Sequence, residues 1–310
     1  MKKNYLLLAA LPLFLMSALG KAQTLLPDVS VPKTGKYLAL NLPQLRLFIY
    51  QDGELKNIHP VAIGKARTRT PPGEYKIGPV SLNPTWSIPK SIQRERAARG
   101  LPAVTSIPPG PNNPLGPVFI RFGDPKLGLG IHGTNAPSSV PGVRSHGCVR
   151  MKSQTALRMA KFVDRGMPMS VIYQLISVNE DEGGQLWLAA YGDHYAMKNL
   201  NRDQLNSTLK FWEQKHGKTL NQARIEQTLK NRKSTPVCIS CTNPTGNKIS
   251  GALTPLAWTE GTLARNTSAP LTDHESSNIS SEEETPKNVF PWGNEGDNSG
   301  TAIEIEEDFQ

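Results

Sequence analysis

From Lys36 to Val80 the sequence keeps returning to a period of two broken by turn residues, and that rhythm restricts the fold more than any other feature. Lys36–Tyr50 (KYLALNLPQLRLFIY) alternates apolar and polar residues on either side of Asn41, Leu42 and Pro43, which predicts two strands. Asp52 and Gly53 form a hairpin signal, and Leu55–Ile63 returns as a strand interrupted by Pro60. Thr70, Pro71, Pro72 and Gly73 punctuate before another strand over Glu74–Val80. Val118–Phe122, Leu127–His132 and Met167–Leu175 read as further strands. Two stretches here have a helical pattern: SIQRERAARG after Pro89, a short helix or lid, and Ser153–Arg165, where Ala156, Met159, Ala160 and Val163 share a face. Leu101–Pro117 is too rich in Pro and Gly for regular structure and is expected to be a binding loop. The expectation is a mostly β domain with short helices over 36–175, large enough for one core.

The flanks differ from this body. Lys2 and Lys3 precede an apolar run, Tyr5–Leu19, that exits through the small residues Ala18, Gly20 and Ala22; this is the layout of a secretory signal peptide, 1–22. Pro12 interrupts the run, which is shorter than the roughly 20 residues of a spanning helix. A leader (23–35) follows, and the chain is expected to be exported to the periplasm or cell envelope. Residues 176–232 read as a small α/β extension. It has a hairpin turning at Gly183 and Gly184, then a helix-favouring stretch whose stripe of Leu200, Leu205, Leu209, Phe211 and Trp212 is a packing face. Residues 233–310 turn to Ser, Thr, Asn, Pro and acid, which predicts a disordered, low-complexity acidic tail.

Charge follows the same division. From Pro236 onward there are 12 acidic and 3 basic residues in a chain of net charge +9, so the body before it is strongly basic. A basic body suits an anionic partner. Export argues against nucleic acid and leaves a membrane surface or an acidic wall polymer.

Chemistry concentrates in His132–Met151 (HGTNAPSSVPGVRSHGCVRM), which holds two of the six histidines and one of the three cysteines. An odd cysteine in an oxidising compartment is a liability or a working thiol. Cys148 lies among Ser, His and Gly rather than in an apolar strand, which favours the reactive reading over a buried inert one. Two imidazoles could serve it as base. His146 is two residues away and stands beside the thiol, whereas His132 arrives on another strand and can face it, so His132 is preferred and His146 is left to orient the loop or substrate. Ser145, Gly147 and the Cys148 amide could make a sharp turn with donors for an oxyanion, and Arg150 could hold a carboxylate or stabilise a thiolate. Cys238 and Cys241 (CISC) lie in a loop-like setting and are read as a disulfide candidate rather than a redox dithiol. Zinc shared between the two cysteine clusters is not expected, because they are far apart in sequence. The sequence has no Gly-rich phosphate loop, and no cofactor is expected.

IHGTN followed by SHGCVRM closely resembles the signature of the L,D-transpeptidases, the YkuD-like catalytic domain of cell-wall enzymes. The likeness extends through PTWSIP and LPAVTSIPPGPNNPLGP and covers about Lys36–Leu175. It implies a β-sandwich-like domain with Cys148 as nucleophile, His132 as base and the Gly133 carbonyl orienting the imidazole. His146, Gly147 and Arg150 fall on the remaining motif positions. The activity implied is attack on the bond between the third residue of a peptidoglycan stem tetrapeptide and the D-alanine that follows it, a thioester, and transfer to an amine. The amine could belong to another stem (a 3-3 cross-link) or to a wall-anchored protein. Water or a free D-amino acid in its place would give an L,D-carboxypeptidase or an exchange enzyme. Outside the cytoplasm, Cys148 would need a thiol reductant as partner. The acidic tail and CISC have no counterpart in that pattern.

Overall fold

The period-two segments become strands. In the computed structural model, which describes residues 23–243 and 248–258, β1 (Lys36–Asn41) and β2 (Arg46–Gln51) pair antiparallel with Leu38 opposite Ile49 and Leu40 opposite Leu47. β3 (Glu54–Pro60) returns on β2 through Asp52 and Gly53, at φ 53° and 81°, the left-handed pair that a two-residue hairpin turn requires. After Pro60 and Val61 the chain continues as β4 (Ala62–Gly64) on the other side of the fold.

The long β5 (Gly73–Leu82) is followed by β6 (Trp86–Ser87), α1 (Lys90–Ala98) and β7 (Ser106–Ile107). Then come β8 (Val118–Phe122), β9 (Gly130–His132), β10 (Gly142–Ser145), β11 (Val149–Arg150), α2 (Ser153–Phe162) and β12 (Pro168–Ile172). One ten-stranded sheet results, in the order β10-β4-β11-β9-β8-β5-β12-β1-β2-β3. β5 belongs to both halves. It pairs with β12 and with β8, and its register to β8 shifts between Ile77 and Val80, an irregularity of the kind that bends a strand and curls its sheet. The inner face buries Leu38, Leu40, Ile63, Ile120, Ile131 and Val149, and α2 closes it with Ala156 and Met159. Each large apolar side chain of this kind contributes about 1.5–3 kcal/mol when fully buried. Val163 joins this core as the helical spacing predicts, while Ala160 is only partly buried.

A second sheet is built by β13 (Ile176–Asp181), β14 (Leu186–Ala190), β15 (Val237–Cys238) and β16 (Leu253–Pro255), in the order β15-β14-β13-β16. The predicted hairpin at Gly183 and Gly184 is its centre. The single helix-favouring stretch divides into α3 (Arg202–His216) and α4 (Gln222–Asn231). Gly217 ends the first in the left-handed region at φ 60°, and Asn221 caps the second by accepting from the Arg224 N–H at 2.9 Å. Leu205, Leu209 and Trp212 bury as expected, but Phe211 is 66% exposed, because three- and four-residue steps select 205, 209 and 212 and leave 211 off that face.

Two boundary expectations need correction. The leader 23–35 is part of the fold: Leu25, Asp28 and Val29 are buried, and Val29 packs with Tyr37, Ala39, Phe48 and Tyr50 on the outer face of β1 and β2. Side-chain amides fasten it, Asn179 bonding the main chain of Leu26 in both directions and Gln174 that of Asp28. Residues 233–243 and 248–258 have the composition of the tail, yet they supply β15 and β16. They gain enough burial there, through Cys238, Ile239, Cys241 and Trp258, to offset their ordering. Cys238 and Cys241 form a disulfide, and the Arg224 guanidinium donates to the carbonyls of both and of Thr242. The stretch expected to be a signal peptide, 1–22, residues 244–247 and the acidic stretch 259–310 lie outside the described residues. No described helix is long and apolar enough to cross a membrane.

Candidate active site

β9 delivers His132 between β8 and β11, opposite Phe119 on one side and Arg150 on the other. Gly130, two residues before it, has to lack a Cβ, which would lie 2.2 Å from the Phe119 ring. That ring in turn stacks on the His132 imidazole, centroids 6.2 Å apart and planes 22° apart. His132 is 4% exposed, and its Nδ1 lies 2.6 Å from the Gly133 carbonyl oxygen. A carbonyl only accepts, so Nδ1 carries the hydrogen and Nε2 is left to take a proton. Burial, and then the charge of Arg150, push the pKa of His132 down to about 4, against the Gly133 and Leu115 carbonyls, which favour the protonated ring. The imidazole is therefore neutral at neutral pH, with two acceptors ready to steady an imidazolium once one forms.

The turn that carries Cys148 follows β10. Ser145 is buried; its Oγ donates to the Cys148 carbonyl at 2.5 Å and accepts from the Gly147 N–H at 3.3 Å. Its hydroxyl therefore builds the turn. Gly147 sits at φ 113°, backbone that side-chain-bearing residues rarely adopt. The loop after β4 grips the same turn from outside: Lys65 N–H and Thr68 Oγ1 donate to the Ser145 carbonyl at 2.9 and 3.2 Å, and Thr70 Oγ1 donates to the Gly147 carbonyl at 2.8 Å.

Cys148 is the free cysteine among the described residues, partly open at the surface but closely surrounded, with Sγ 3.5 Å from the Gly128 carbonyl oxygen. Burial raises the thiol pKa, and the Gly130 N–H and the guanidinium groups of Arg150 and Arg121 work against that rise. Burial thus works against the charged form of both the thiol and the imidazole. Because β9 and β11 run parallel with Arg150 beside His132, the residue two before Arg150, Cys148, comes up on the His132 side. His146 turns elsewhere: its Nε2 is 3.3 Å from Glu95 Oε2 on α1, so the second motif histidine meets the predicted lid helix.

Several contributors escape sequence reasoning. Asn113, fully buried, organises the Pro/Gly-rich loop, its amide donating to the Pro84 and Pro108 carbonyls and its Oδ1 accepting from the Leu115 N–H. It thereby sets the Leu115 carbonyl that acts on His132. Asn83, Asn113, Thr134, Asn135 and Ser153 line a cavity of about 270 Å³ next to this loop. Phe119, Arg121, Glu95 and Thr70 complete the surroundings. The alternation of VFIRF could have placed Phe119 and Arg121 on one face, but nothing local marks Thr70 or Glu95. No group of metal-ligating side chains forms among the described residues.

Residues 35–171 match the model of the YkuD family, the L,D-transpeptidase catalytic domain. The chain is 30% identical over 168 residues to YcfS of Escherichia coli, named as a probable L,D-transpeptidase, in a match covering 52% of this chain and 50% of that protein. It is also 30% identical over 148 residues to YkuD of Bacillus licheniformis, named for the same activity, covering 47% of this chain and 72% of that one. The chain thus spans about half the length of its E. coli relative and most of the Bacillus one. Among solved structures it is similar to L,D-transpeptidase 3 of Mycobacterium tuberculosis, with TM-score 0.35 and 16% identity over 44% of this chain and 61% of that one. A similar value, TM-score 0.34 with 19% identity over 44% of this chain and 96% of the other, relates it to the catalytic domain of the E. faecium L,D-transpeptidase.

Proposed function

The chain belongs to the L,D-transpeptidase family, and from that premise we propose that it is a cysteine-dependent acyltransferase of peptidoglycan stem peptides, with Cys148 as nucleophile and His132 as base. The observation that carries the reading is the 2.6 Å contact between His132 Nδ1 and the Gly133 carbonyl, which fixes the tautomer whose Nε2 can accept a proton without a carboxylate partner.

The thiol proton passes to Nε2 as Sγ attacks the carbonyl carbon of the third stem residue. Burial disfavours both the thiolate and the imidazolium, so proton transfer accompanies attack on the substrate carbonyl. Donors of the Ser145–Cys148 turn, with Arg150, meet the charge on the carbonyl oxygen. The C–N bond to the terminal D-alanine breaks, the leaving amine takes the proton from His132, and a thioester remains on Cys148. An acceptor amine attacks the thioester and gives its proton to His132, which returns it to the departing sulfur. The acceptor is a second stem peptide or a wall-anchored protein. The signal-like N-terminus supports an envelope location, the basic body supports an acidic wall polymer as partner, and a thiol reductant would keep Cys148 reduced.

Incubation with a tetrapeptide donor should add one acyl mass to the wild-type chain and none to Cys148→Ala; an adduct surviving in the variant would remove Cys148 from the role. Digestion of treated sacculi and mass analysis then identifies the acceptor. New 3-3 dimers support the cross-linking reading and protein remnants on stems support attachment, whereas shortened stems alone would mean water is the acceptor.

A further inference from the structure

Among the contacts of the C-terminal extension with the catalytic domain, one side chain reaches the loop that grips the Cys148 turn. Tyr195 follows β14 and is 1% exposed. Its hydroxyl donates to the Gly64 carbonyl at 2.9 Å and accepts from the Thr70 N–H at 3.1 Å. Thr70 Oγ1 accepts from the Gly64 N–H at 3.0 Å and donates to the Gly147 carbonyl at 2.8 Å, inside the turn that presents Cys148. The loop between Gly64 and Thr70 has no slack, since a Cβ on Gly64 would lie 2.1 Å from the Thr68 carbonyl oxygen and 2.8 Å from the Thr70 nitrogen.

Tyr195 is itself held. Its N–H donates to the Tyr173 hydroxyl at 2.7 Å, and that hydroxyl donates to Asp193 Oδ1 at 2.7 Å. Asp193 also accepts the Met197 and Lys198 N–H groups, both at 2.9 Å. The Tyr195 ring stacks on Tyr173 and lies under the Arg69 guanidinium. A platform shared by Tyr173 of the catalytic domain and Asp193 of the extension thus holds the Tyr195 hydroxyl, the hydroxyl bonds Thr70, and Thr70 bonds Gly147.

We propose that Tyr195 and Thr70 are positioning residues for the nucleophile: the extension sets the pose of the Cys148 turn through them, and the catalytic domain depends on it for rate. The proposal rests on Cys148 being the nucleophile. A displaced turn would move Sγ away from the Gly130 N–H that favours the thiolate, while Arg150 and Arg121, the cations acting on the thiol, and His132 stay in place.

The test uses the full chain with Tyr195→Phe, Thr70→Val and Thr70→Ser. The Phe variant keeps both ring contacts and loses only the hydroxyl; the Ser variant keeps the oxygen that Val removes. Two readouts are needed: kcat and KM for adduct formation with the tetrapeptide, and the pH midpoint of Cys148 alkylation by iodoacetamide. For Tyr195→Phe and Thr70→Val the expectation is kcat lower by about tenfold or more with KM within about threefold, the pattern of misplaced reacting groups. Their alkylation midpoint should rise by about half a unit or more, and Thr70→Ser should return both values to near wild type. Folded Tyr195→Phe and Thr70→Val proteins with wild-type kcat and midpoint would overturn the proposal, and if Thr70→Val fails to fold, Tyr195→Phe decides. Should the wild type form no adduct, the stem-peptide reading fails by itself. The alkylation midpoint then decides alone, a raised value upholding the positioning role and an unchanged one removing it.

Discussion

The two sheets treat their ionisable groups in opposite ways. In the curled ten-stranded sheet, burial and the Arg150 charge work against the charged form of His132, and burial works against the thiolate of Cys148. In the four-stranded sheet the carboxylates are satisfied. Burial alone would raise the pKa of Asp181, but the N–H groups of Gln185, Ser250 and Trp187 outweigh it and hold the carboxyl below its usual range. Asp193 is lowered in the same manner, against its own burial, by Lys198, Tyr173 and Met197. One region leaves a charge to be completed by something that binds, and the other completes its charges internally. That contrast separates the proposed reacting site from a scaffold, although both are built on paired strands.

The contrast breaks most visibly at His132. His132→Gln removes the ring nitrogen proposed to take the thiol proton, and adduct formation should fall by about 10²–10⁴-fold at pH 7. A loss of under about threefold in that assay would assign the base to another group. The same residue gives a pH signature. Its folded pKa of about 4 lies below the ordinary 6.5, so between these values the unfolded chain binds a proton that the folded chain does not. The stabilising contribution is therefore fully present above pH 6.5 and is lost as pH falls toward 4, on the order of 3 kcal/mol in all. His59 and His194, also lowered by burial, add losses of the same sign. Urea unfolding at pH 7.5 and pH 4 should consequently show a smaller acid loss in His132→Gln than in wild type; equal losses would mean that His132 titrates normally.

What is legible in the sequence follows the range of the interactions. The strands of the curled sheet, α2 and the Gly183–Gly184 hairpin are readable because alternation, helical spacing and turn residues are local signals. The residues proposed for catalysis, His132, Gly133 and Cys148, stand out because they share one motif whose parts lie within a short segment. The grip on that motif is not readable: Thr70 lies 77 residues from Gly147 and Tyr195 lies 131 from Gly64. Neither carries a period or a spacing that links it to its partner. Ser145 is legible as part of a sharp turn, but that its hydroxyl closes the turn on the Cys148 carbonyl is not. Residues 233–243 and 248–258 read as tail because their Ser, Thr, Asn and Pro composition is what a loose chain shows, and the leader carries no local signal that ties it to the fold. The amides of Asn179 and Gln174 and the sheet pairing that retain them are long-range.

The smallest expected effect sharpens the contrast from the scaffold side. Asp181 ends β13 at the hairpin turn, whereas Tyr195 leaves from the opposite end of the hairpin, where Ile176 pairs with Ala190. The paired length between the two is roughly 15 Å at strand rise. Asp181 Oδ2 accepts from both Trp187 Nε1 and Ser250 N–H, and Oδ1 from Gln185 N–H. Asp181→Asn sets an NH₂ group against donors whichever way the amide turns, so the variant should lose about 1–3 kcal/mol in urea unfolding at pH 7. The carboxylate's lowered pKa makes its contribution present above the ordinary value of 3.8 and lost as pH falls through the folded value, so the variant should also lack that acid loss. The alkylation midpoint of Cys148 and kcat should both stay at wild type, because the turn end of the hairpin does not touch the Tyr195 hydroxyl. If kcat fell along with stability, the extension would act on the site as one rigid body rather than through Tyr195 alone.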